Sequence, residues 1–418
     1  MYSLLSESQQ LAVDLIEQGQ NVFITGPAGT GKSYLLNYLK KEFTKKRFHI
    51  TATTGIASIN VGGTTLHSWA GLGIEQVPIN ELLRKIFSAR GIKLRKKLLE
   101  TEILAIDEIS MLSKQTFELL DELLRKVRDI NFPFGGVQLI LFGDFLQLPP
   151  VKSESFCFES VSWIEADIKM VELKEYFRQK DERFVKLLNN IRFGIKDRDD
   201  IKVLKSRYNI ENDSKIIKPT ILSTHNATVD KINYNMLLEL PAMEKTFKAE
   251  YDGSAVKVEF LKKNCIAQDE LHLKLGAQVM MLKNTYQKEG ISNGSIGVVK
   301  GFSAKRQYPI VEFESGITIT IAPDVWESYK YNEITNELEV DASMVQIPLR
   351  LAWSITIHKS QGMTLDKVEC DLKNTFSDGQ MYVALSRARD LDGVYIKSFD
   401  VNNIRASRKV IEFYKKLL

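Results

Sequence analysis

The apolar positions in the first 140 residues follow two alternating spacings. Ser6-x-x-Gln9 fits a helix capping box, and Leu11, Leu15 and Ile16 then recur at helical spacing, which predicts a helix over residues 6–18. Short apolar runs predict buried strands at 21–25, 48–51, 101–106 and 137–142, and helical patterns occupy 33–46 and 114–129. Strands that alternate with helices indicate an α/β domain with a doubly wound parallel sheet.

A second α/β pattern follows, and a segment of different character interrupts it. Helical patterns over 181–240 surround a short strand at 220–223, and the pattern resumes at 345 with QIPLRLAWSI, KVECDL and VYIKSF. Between them, residues 245–343 contain short apolar runs punctuated by Gly276, Gly294, Gly297, Gly301 and Gly316. Such runs are typical of a small antiparallel barrel, which we interpret as an insertion into the second α/β domain.

The charge of the chain limits how it could bind a polyanion. The 418 residues carry a formal net charge of +4, which is too small for bulk attraction to nucleic acid, so any basic binding surface must be local. Residues 84–97 contain seven basic residues and no acidic residue. This stretch is either an arm that follows phosphates or an ordinary solvated helix face, and the sequence leaves both interpretations open.

Cysteine spacing and the N-terminus bear on the compartment. Cys157, Cys265 and Cys370 lie far apart, and the five histidines complete no zinc-binding spacing with them. The N-terminus lacks the features of a leader peptide, and no apolar stretch approaches the roughly 18 residues that would cross a bilayer. We therefore expect a cytoplasmic protein, nucleoid-associated in a prokaryote, with no membrane partner.

The strongest chemical signal is a complete GxxxxGK[ST] motif between a predicted strand and a predicted helix. It consists of Gly26, Pro27, Ala28, Gly29, Thr30, Gly31, Lys32 and Ser33. Its glycines let the backbone wrap phosphate groups at a helix N-terminus, where free N–H groups attract them. Lys32 would reach the β- and γ-phosphate oxygens and Ser33 would bind Mg²⁺, which predicts ATP and Mg²⁺ as cofactors.

A carboxylate pair closes the next buried strand. Asp107 and Glu108 follow the apolar run ILAI, where nucleotide-binding sheets place an Mg²⁺-associated aspartate and a neighbouring base. With the phosphate loop upstream, we predict that Asp107 binds the metal and that Glu108 polarises the attacking water. Glu108 therefore favours hydrolysis over nucleotide binding alone.

The ordered set of motifs resembles the petite-integration-frequency (PIF-type) DNA helicases, in the five-prime-to-three-prime branch of helicase superfamily one. The motifs are LSESQ (5–9), TATTGIAS (51–58), TTLHSW (64–69), ILAIDEIS (103–110), GDFLQLPPV (143–151), EYFRQ (175–179), LAWSITIHKSQGMTLD (351–366) and QMYVALSRAR (380–389). The stretch DELLRKVR (121–128) with NFPFGG (131–136) is similar to the signature that separates this type from RecD and Dda helicases. Ser8 replaces the usual acidic residue of the first motif.

The resemblance implies a specific domain organisation. It predicts two RecA-like parallel-sheet domains, a small accessory insertion in the first and an SH3-like β-barrel insertion in the second. The implied first domain covers residues 1–180, with the accessory region at about 72–99. The second domain covers 181–244 and 344–418, and the barrel covers 245–343.

The resemblance also implies roles for individual residues at the nucleotide. Gln9 would read the adenine, and Gly362 would contact the nucleotide. Gln147 would sense the γ-phosphate, whereas a loop glutamine taken alone more commonly faces solvent. Arg178 and Arg387 match two arginine fingers, a role that suits a planar and permanently charged group, although either could instead form an ordinary salt bridge.

DNA contacts are implied at the loops of the same motifs. The residues are Thr53, Thr54, Gly55, His67, Trp69, Pro149, Pro150, His225, Asn226, His358 and Lys359. Amides, imidazoles and aromatic rings of this kind bind single strands without reading sequence. Trp69 taken alone is better explained as a core residue.

The resemblance, together with the phosphate loop and the carboxylate pair, implies an ATP-dependent DNA helicase that moves five-prime to three-prime on single-stranded DNA. The expected partners are single strands and single/double-strand junctions, with G-quadruplex DNA as a further candidate, and we expect a monomer. One alternative is a remodelling or annealing protein whose ATPase only switches its DNA affinity. A phosphate-loop switch or kinase without nucleic acid would leave Arg178, Arg387 and the loop at 358–364 unassigned.

Overall fold

The computed structural model describes residues 5–43, 47–72, 78–150, 153, 155–208, 210, 217–332 and 337–417. The chain forms two compact units. The first consists of residues 1–177, 327–341 and 413–418, and the second of residues 178–326 and 342–412.

The first unit contains a parallel sheet. Its strands among the described residues are β1 (Val22–Thr25), β2 (Phe48–Ala52), β3 (Thr64–Thr65), β4 (Ile103–Asp107), β5 (Gln138–Phe142) and β6 (Lys169–Glu172). They lie in the order β3-β2-β4-β5-β1-β6, and every pairing is parallel. The central strands β1, β4 and β5 are almost entirely buried, which explains their continuous apolar runs.

Helices cover this sheet. They are α1 (Glu7–Glu17), α2 (Lys32–Glu42), α3 (Gly55–Asn60), α4 (Leu66–Ala70), α5 (Ile79–Phe87), α6 (Ile92–Glu100), α7 (Lys114–Arg128) and α8 (Val161–Glu165). Of these, α1, α3, α4, α7 and α8 begin at residues whose side chains cap them. The predicted capping box at Ser6 and Gln9 is present at the start of α1. Ile16, Leu35 and Leu39 pack against Val22 and Ile140 of the sheet in one buried cluster. The predicted helix at 33–46 extends over residues 44–46, which lie outside the described residues.

The second unit contains a shorter parallel sheet. It begins with α9 (Glu182–Arg192), α10 (Arg198–Ser206), β7 (Thr220–Ser223) and α11 (Asn226–Leu238). The inserted segment then contains β8 (Lys245–Lys248), β9 (Glu250–Gly253), α12 (Ala255–Asn264), β10 (Glu270–Leu273), β11 (Gln278–Met281), β12 (Ile296–Phe302), β13 (Pro309–Phe313), β14 (Thr318–Thr320), β15 (Asp324–Asn332), β16 (Glu337–Gln346) and β17 (Leu349–Leu351). The chain ends with β18 (Ser354–Thr356), β19 (Val368–Asp371), α13 (Gln380–Leu385), β20 (Val394–Ser398) and α14 (Arg408–Leu417).

The strands of the second unit form a parallel sheet and, separately, antiparallel sheets. Strands β18-β7-β19-β20 form the parallel sheet, and β14-β13-β12-β11-β17 form an antiparallel sheet. Smaller antiparallel ladders join β10 to β8 and β16 to β9. The antiparallel sheet encloses a core that includes Val279, Val299, Val311 and Leu349. The predicted fold class, two parallel α/β sheets with an antiparallel insertion, is therefore confirmed.

Three predicted boundaries were wrong. The run QIPLRLAWSI does not start the second parallel sheet, because Leu349–Leu351 pair antiparallel with β11 and only Ser354–Thr356 join β7. Residues 327–341, predicted within the barrel, belong to the first unit. Residues 413–418, predicted in the second α/β domain, also belong to the first unit, because the Phe413 ring stacks on Phe158 with centroids 4.2 Å apart.

The predicted accessory region at 72–99 contains α5 and most of α6, and its residues 73–77 lie outside the described residues. Within the described part of the chain, no helix is both long enough and apolar enough to span a bilayer.

Candidate nucleotide and nucleic-acid sites

The predicted phosphate loop connects β1 to α2 in the first unit. Gly26, Gly29 and Gly31 have φ angles of 139°, 87° and 85°, a backbone region that suits glycine. A Cβ atom on Gly26 would lie 2.6 Å from the carbonyl oxygen of Leu173, so the loop has no room for a side chain there. Gly31 caps α2 without a side-chain hydrogen bond, which leaves the helix-terminal N–H groups directed at the loop.

Lys32 and Asp107 supply the opposite charges of this site. The Nζ of Lys32 donates to the carbonyl oxygens of Gly26 and Pro27 at 2.7 and 2.9 Å. Burial raises the pKa of Asp107 above its usual range, against the opposing effects of the Glu108 amide and the Lys32 charge. Ser33 follows Lys32 in the first turn of α2 and is exposed, so its hydroxyl is accessible to a bound ligand.

Glu108 has an unusual backbone conformation. Its φ and ψ angles of 54° and 43° lie in the left-handed region, where a residue other than glycine is strained. Its N–H donates to Oδ1 of Asp107 at 2.9 Å, and its carbonyl oxygen accepts from Oγ1 of Thr53 at 2.9 Å. The Thr53 N–H also donates to the Asp107 carbonyl oxygen at 3.2 Å. The loop after β2 therefore fixes the conformation of the carboxylate pair after β4.

Gln9 and Phe177, a residue that the sequence analysis did not single out, lie next to the phosphate loop. Gln9 is 2% exposed, and its Nε2 has no hydrogen-bond acceptor among the described residues. A Cβ atom on Gly31 would lie 2.7 Å from this Nε2 and 3.3 Å from the ring of Phe177. The Phe177 N–H donates to the Gly29 carbonyl oxygen at 2.9 Å, although its ring is 59% exposed. An exposed aromatic ring beside an orphan amide is an arrangement that suits a nucleobase.

Ser8 has a carboxylate partner. Its Oγ donates to Oε2 of Glu175 at 2.5 Å, so an acidic group stands beside the first motif although position 8 is serine. Glu175 and Phe177 both belong to EYFRQ, and their proximity to Arg178 was the signal that could have identified them.

Gln147 lies in a buried turn after β5. It is 6% exposed, and its Nε2 lies 3.4 Å from Oδ2 of Asp144. Asp144 is fully buried and also accepts from the Leu146 N–H and the Tyr414 hydroxyl. The γ-phosphate role of Gln147 stays a prediction. Pro149 is half-buried and Pro150 is buried, and Val151 of the same motif lies outside the described residues.

These features fit the implied cofactors. The loop at 26–31 has the positive φ angles and the close backbone packing that a phosphate cradle requires, and Lys32 is its cation. The orphan Gln9 amide offers donors to a base, and Asp107 with the Ser33 hydroxyl offers the oxygen ligands that Mg²⁺ prefers. Gln9, Gly26 to Ser33, Asp107 and Glu108 are thus brought together at the carboxyl ends of β1 and β4.

In the second unit, Arg178 and Arg387 donate hydrogen bonds to backbone carbonyl oxygens. Arg387 is 1% exposed and donates to the carbonyl oxygens of Val383, Ser360 and Met363 at 2.8, 3.2 and 3.4 Å. Arg178 donates to the carbonyl oxygens of Ser386 and Gly362, both at 3.1 Å. Burial and the neighbouring Arg387 lower the pKa of Arg178 to about 9.

Both arginines therefore stabilise the loop at 360–363 and the end of α13. Gly362 has a φ angle of 80° and is exposed. The finger roles of Arg178 and Arg387 and the nucleotide contact of Gly362 stay predictions.

The predicted DNA contacts of the first unit differ in their accessibility. Thr54 caps α3 by accepting from the Ala57 N–H at 3.2 Å, and Gly55 opens that helix. His67 is half-buried on α4, and burial lowers its pKa. Trp69 is 3% exposed and packs against His49 with ring centroids 6.0 Å apart. The structure thus places Trp69 in the core, as the alternative interpretation holds, and its contact with DNA stays a prediction.

The predicted DNA contacts of the second unit lie at the ends of parallel strands. His225 and Asn226 follow β7 at the start of α11, and both are exposed. His358 is exposed and Lys359 is half-buried, and they follow β18. Because β7 and β18 pair in parallel, the two loops leave the same edge of the sheet. Their contact with DNA stays a prediction.

The family-type signature is a scaffold in this structure. Asp121 is 6% exposed and accepts from the Phe134 N–H at 2.6 Å and from the Ser162 hydroxyl at 2.7 Å. Arg128 donates to three carbonyl oxygens at the end of α6, those of Leu98, Leu99 and Thr101, at 2.9, 2.6 and 3.1 Å. The signature therefore anchors the basic stretch at 84–97, where Arg84, Lys85 and Lys93 are exposed.

Comparison with known proteins identifies the family of this site. The model described as PIF1-like helicase matches residues 4–200, and the model for the 2B domain of DNA helicase Pif1 matches residues 258–302. Bacteroides Pif1, whose structure was solved in complex with ADP-AlF4, is 34% identical, with a TM-score of 0.89 and coverage of 99% of this chain and 97% of that one. The chain belongs to the Pif1-like helicase family.

Two other relatives show the extent of the Pif1 likeness. The human ATP-dependent DNA helicase PIF1 is 41% identical over 418 residues, which cover 99% of this chain and 64% of the human protein. A structure of Bacteroides Pif1 bound to ssDNA is 34% identical, with a TM-score of 0.67 and the same 99% and 97% coverage. The chain thus spans less than two thirds of the human Pif1 length. The 2B match, which covers β10, β11 and β12, confirms the SH3-like insertion of the second unit.

Proposed function

We propose that this protein is an ATP-dependent DNA helicase that moves five-prime to three-prime on single-stranded DNA and unwinds duplex or other DNA secondary structure. The observation that carries the proposal is the phosphate loop at 26–33 beside Asp107 and Glu108, because this geometry suits nucleotide hydrolysis. Family membership supports coupling to DNA, since Bacteroides Pif1 has been solved both with ADP-AlF4 and bound to ssDNA.

The residues of the first unit divide the work at the nucleotide. Bound Mg²⁺ would neutralise phosphate charge and orient the terminal phosphate for in-line attack. Ser33 and Asp107 would hold the metal, and Lys32 would exchange its carbonyl partners for phosphate oxygens. Glu108 would accept a proton from the attacking water, and its fixed backbone would hold the carboxylate in place. Gln9 and Phe177 would bind the base through an amide and a ring face.

DNA binding would be local and largely independent of sequence. The exposed cations at 84–93 and the loops at 53–55, 225–226 and 358–359 would bind backbone phosphates, so affinity should fall with salt. Single strands and single/double-strand junctions are the proposed partners, and G-quadruplex DNA is a further proposed substrate. We propose that the active form is a monomer, because one chain contains both α/β units and the complete motif set.

Unwinding of matched tailed duplexes tests this function. Two fluorescent duplexes of identical sequence carry either a 5′ or a 3′ thymidine tail, and strand release is followed after addition of ATP and Mg²⁺. We expect release from the 5′-tailed duplex alone. Lys32→Ala is the matched control, and it should abolish release and ATP turnover without unfolding the protein, because Lys32 contacts loop carbonyls outside the apolar core.

The other outcomes separate the alternatives. Release from the 3′-tailed duplex alone would reverse the proposed polarity. DNA-stimulated ATP turnover without strand release would favour a remodelling or annealing protein. ATP turnover that single-stranded DNA does not stimulate would favour a phosphate-loop switch.

A further inference from the structure

The second unit contains a cavity of about 300 Å³ that none of the helicase motif roles uses. Helix α11 lines one side with Asp230, Tyr234 and Leu237. The antiparallel strands line the other side with His272 on β10 and Arg350 and Leu351 on β17. This volume lies at the small end of the range for small-molecule sites, which suits one ring system.

Arg350 is the unusual feature of this cavity. Its side chain is 6% exposed, and its Nε has no hydrogen-bond acceptor among the described residues. Asp230 influences Arg350 electrostatically but forms no ion pair with it, and burial lowers the pKa of Arg350. A buried Nε–H without an acceptor costs free energy of folding, whereas an apolar side chain of similar size would pack there without that cost. Arg350 can therefore donate a hydrogen bond to an acceptor group of a ligand that enters the cavity.

The remaining walls favour a flat and largely apolar occupant. Leu237 and Leu351 are 3% and 9% exposed, so they present packed apolar surface. Tyr234 is 61% exposed, which leaves a ring face open at the rim. Asn233 is already satisfied, because its amide group exchanges two 2.9 Å hydrogen bonds with the backbone of Ser354.

The charges around the cavity argue against a phosphate. Glu244 and Asp230 both line it, and Glu244 lies 2.9 Å from Nδ1 of His272. Two carboxylates against one guanidinium would repel a doubly charged anion. A neutral group with acceptors for Arg350 and donors for Asp230 meets no such repulsion.

The cavity lies beside loops that the proposed function assigns to DNA. Asp230 is on α11 one helical turn after Asn226. Lys359 is close enough that Arg350 lowers its pKa and Asp230 opposes that shift, while burial is the larger cause. A strand held at these loops could therefore present a base to the cavity.

We propose that this cavity binds one unstacked nucleobase of the bound single strand and prefers guanine. Guanine offers the O6 and N7 acceptors that an arginine fork pairs with, and its N1–H and N2–H₂ groups can donate to a carboxylate. Tyr234 stacks on the face of the base. The inference rests on the proposed function, because the strand delivers the base.

A guanine scan along a homopolymer tests the pocket. A fluorescent thymidine 16-mer carries one guanine, or one adenine as comparison, at each position in turn, and affinity is measured by anisotropy without nucleotide. We expect guanine to tighten binding by about fivefold or more at one or two adjacent positions, as a bidentate arginine contact would. Adenine should change the affinity little at the same positions.

Three variants connect the preference to the pocket. Arg350→Met and Asp230→Asn should abolish the guanine preference while the thymidine strand still binds. Because a buried substitution can disturb folding, Tyr234→Leu at an exposed position is the second route, and it should weaken binding at the guanine position where Tyr234→Phe does not. Arg198→Met removes an exposed cation from α10 of the same unit and should leave the preference unchanged.

Two results would overturn the pocket alone. One is a thymidine strand that binds and stimulates ATP turnover while guanine has no positional effect. The other is a guanine preference that survives in Arg350→Met and Tyr234→Leu. If the thymidine strand neither binds nor stimulates turnover, the proposed function has failed and the pocket proposal fails with it.

Discussion

Thr53→Val tests the connection between the loop after β2 and the carboxylate pair. The family resemblance predicts a DNA contact for Thr53, but its hydroxyl donates to the Glu108 carbonyl oxygen at 2.9 Å. Valine has nearly the same shape and lacks the donor. The substitution therefore removes one hydrogen bond from the residue proposed to activate water, without changing any residue at the nucleotide.

The expected size follows from two energies. A carbonyl group that loses its partner in a partly buried position costs about 1–3 kcal/mol. A non-glycine residue in the left-handed region costs a similar amount, of order 1–3 kcal/mol, and Glu108 has φ 54°. Removing a hydrogen bond that stabilises this strained backbone conformation should lower its population, so that Glu108 spends much of the time in other conformations. A loss of about 1.4 kcal/mol of transition-state stabilisation corresponds to roughly tenfold in turnover.

Steady-state ATP turnover at increasing DNA concentration distinguishes the two roles of Thr53. We expect Thr53→Val to lower kcat about tenfold at saturating DNA, with little change in the DNA concentration for half-maximal stimulation. Thr53→Ser keeps the hydroxyl and should restore most of the activity. An unchanged kcat with a raised half-maximal DNA concentration would refute the reasoning and return Thr53 to a direct DNA contact.

Two further predictions concern Glu108 and a buried histidine. Glu108→Gln should retain ATP affinity and lose more than about 99% of turnover, since a carboxamide keeps the shape without the base; normal hydrolysis by this variant would remove Glu108 from the mechanism. Burial, followed by the Lys97 charge, lowers the pKa of His49 to about 4 from its usual 6.5. Between pH 7 and pH 5 the His49 side chain is therefore protonated in the unfolded chain and neutral in the folded chain. The free energy of unfolding falls as the pH decreases from 7, by about 2 kcal/mol at pH 5. His49→Gln should lack this part of the pH dependence in urea unfolding at pH 7 and pH 5, and equal losses in parent and variant would contradict the assignment.

The sequence predicted those parts of the structure that depend on local pattern. Buried parallel strands read as continuous apolar runs, so β1, β4 and β5 were located to within two residues. The phosphate loop was identified because its glycines are required by backbone geometry, and Gly26 and Gly31 do have positive φ angles. The capping box at Ser6 was likewise predicted from neighbouring residues, and it is present at the start of α1.

The parts that the sequence did not predict depend on contacts between distant residues. QIPLRLAWSI reads as one apolar run, yet its two halves pair with different sheets because strand partners are chosen in three dimensions. Phe413 belongs to the first unit, where its ring contacts Phe23 and Phe158. The sequence near residue 413 contains no pattern that predicts these contacts. A tryptophan such as Trp69 can either stack on a base or pack in a core, and the sequence does not distinguish the two. Its 3% exposure shows that it lies in the core of this structure.

The residues of the family signature are engaged in contacts within the first unit, which suggests an indirect link to the proposed DNA binding. Asp121 and Arg128 direct their polar atoms to groups within the first unit, namely the Phe134 amide, the Ser162 hydroxyl and the carbonyl oxygens at the end of α6. Substituting Asp121 would leave the buried Phe134 amide and Ser162 hydroxyl without this acceptor, and substituting Arg128 would remove the donor from the carbonyl oxygens at the end of α6. Because Arg128 fixes the end of α6, it also fixes the direction in which the cations of residues 84–97 project. Under the proposed DNA-binding role of residues 84–97, the signature would act by holding a basic surface in place, and its effect on affinity should follow the order of α6 and not the charge of Arg128 itself.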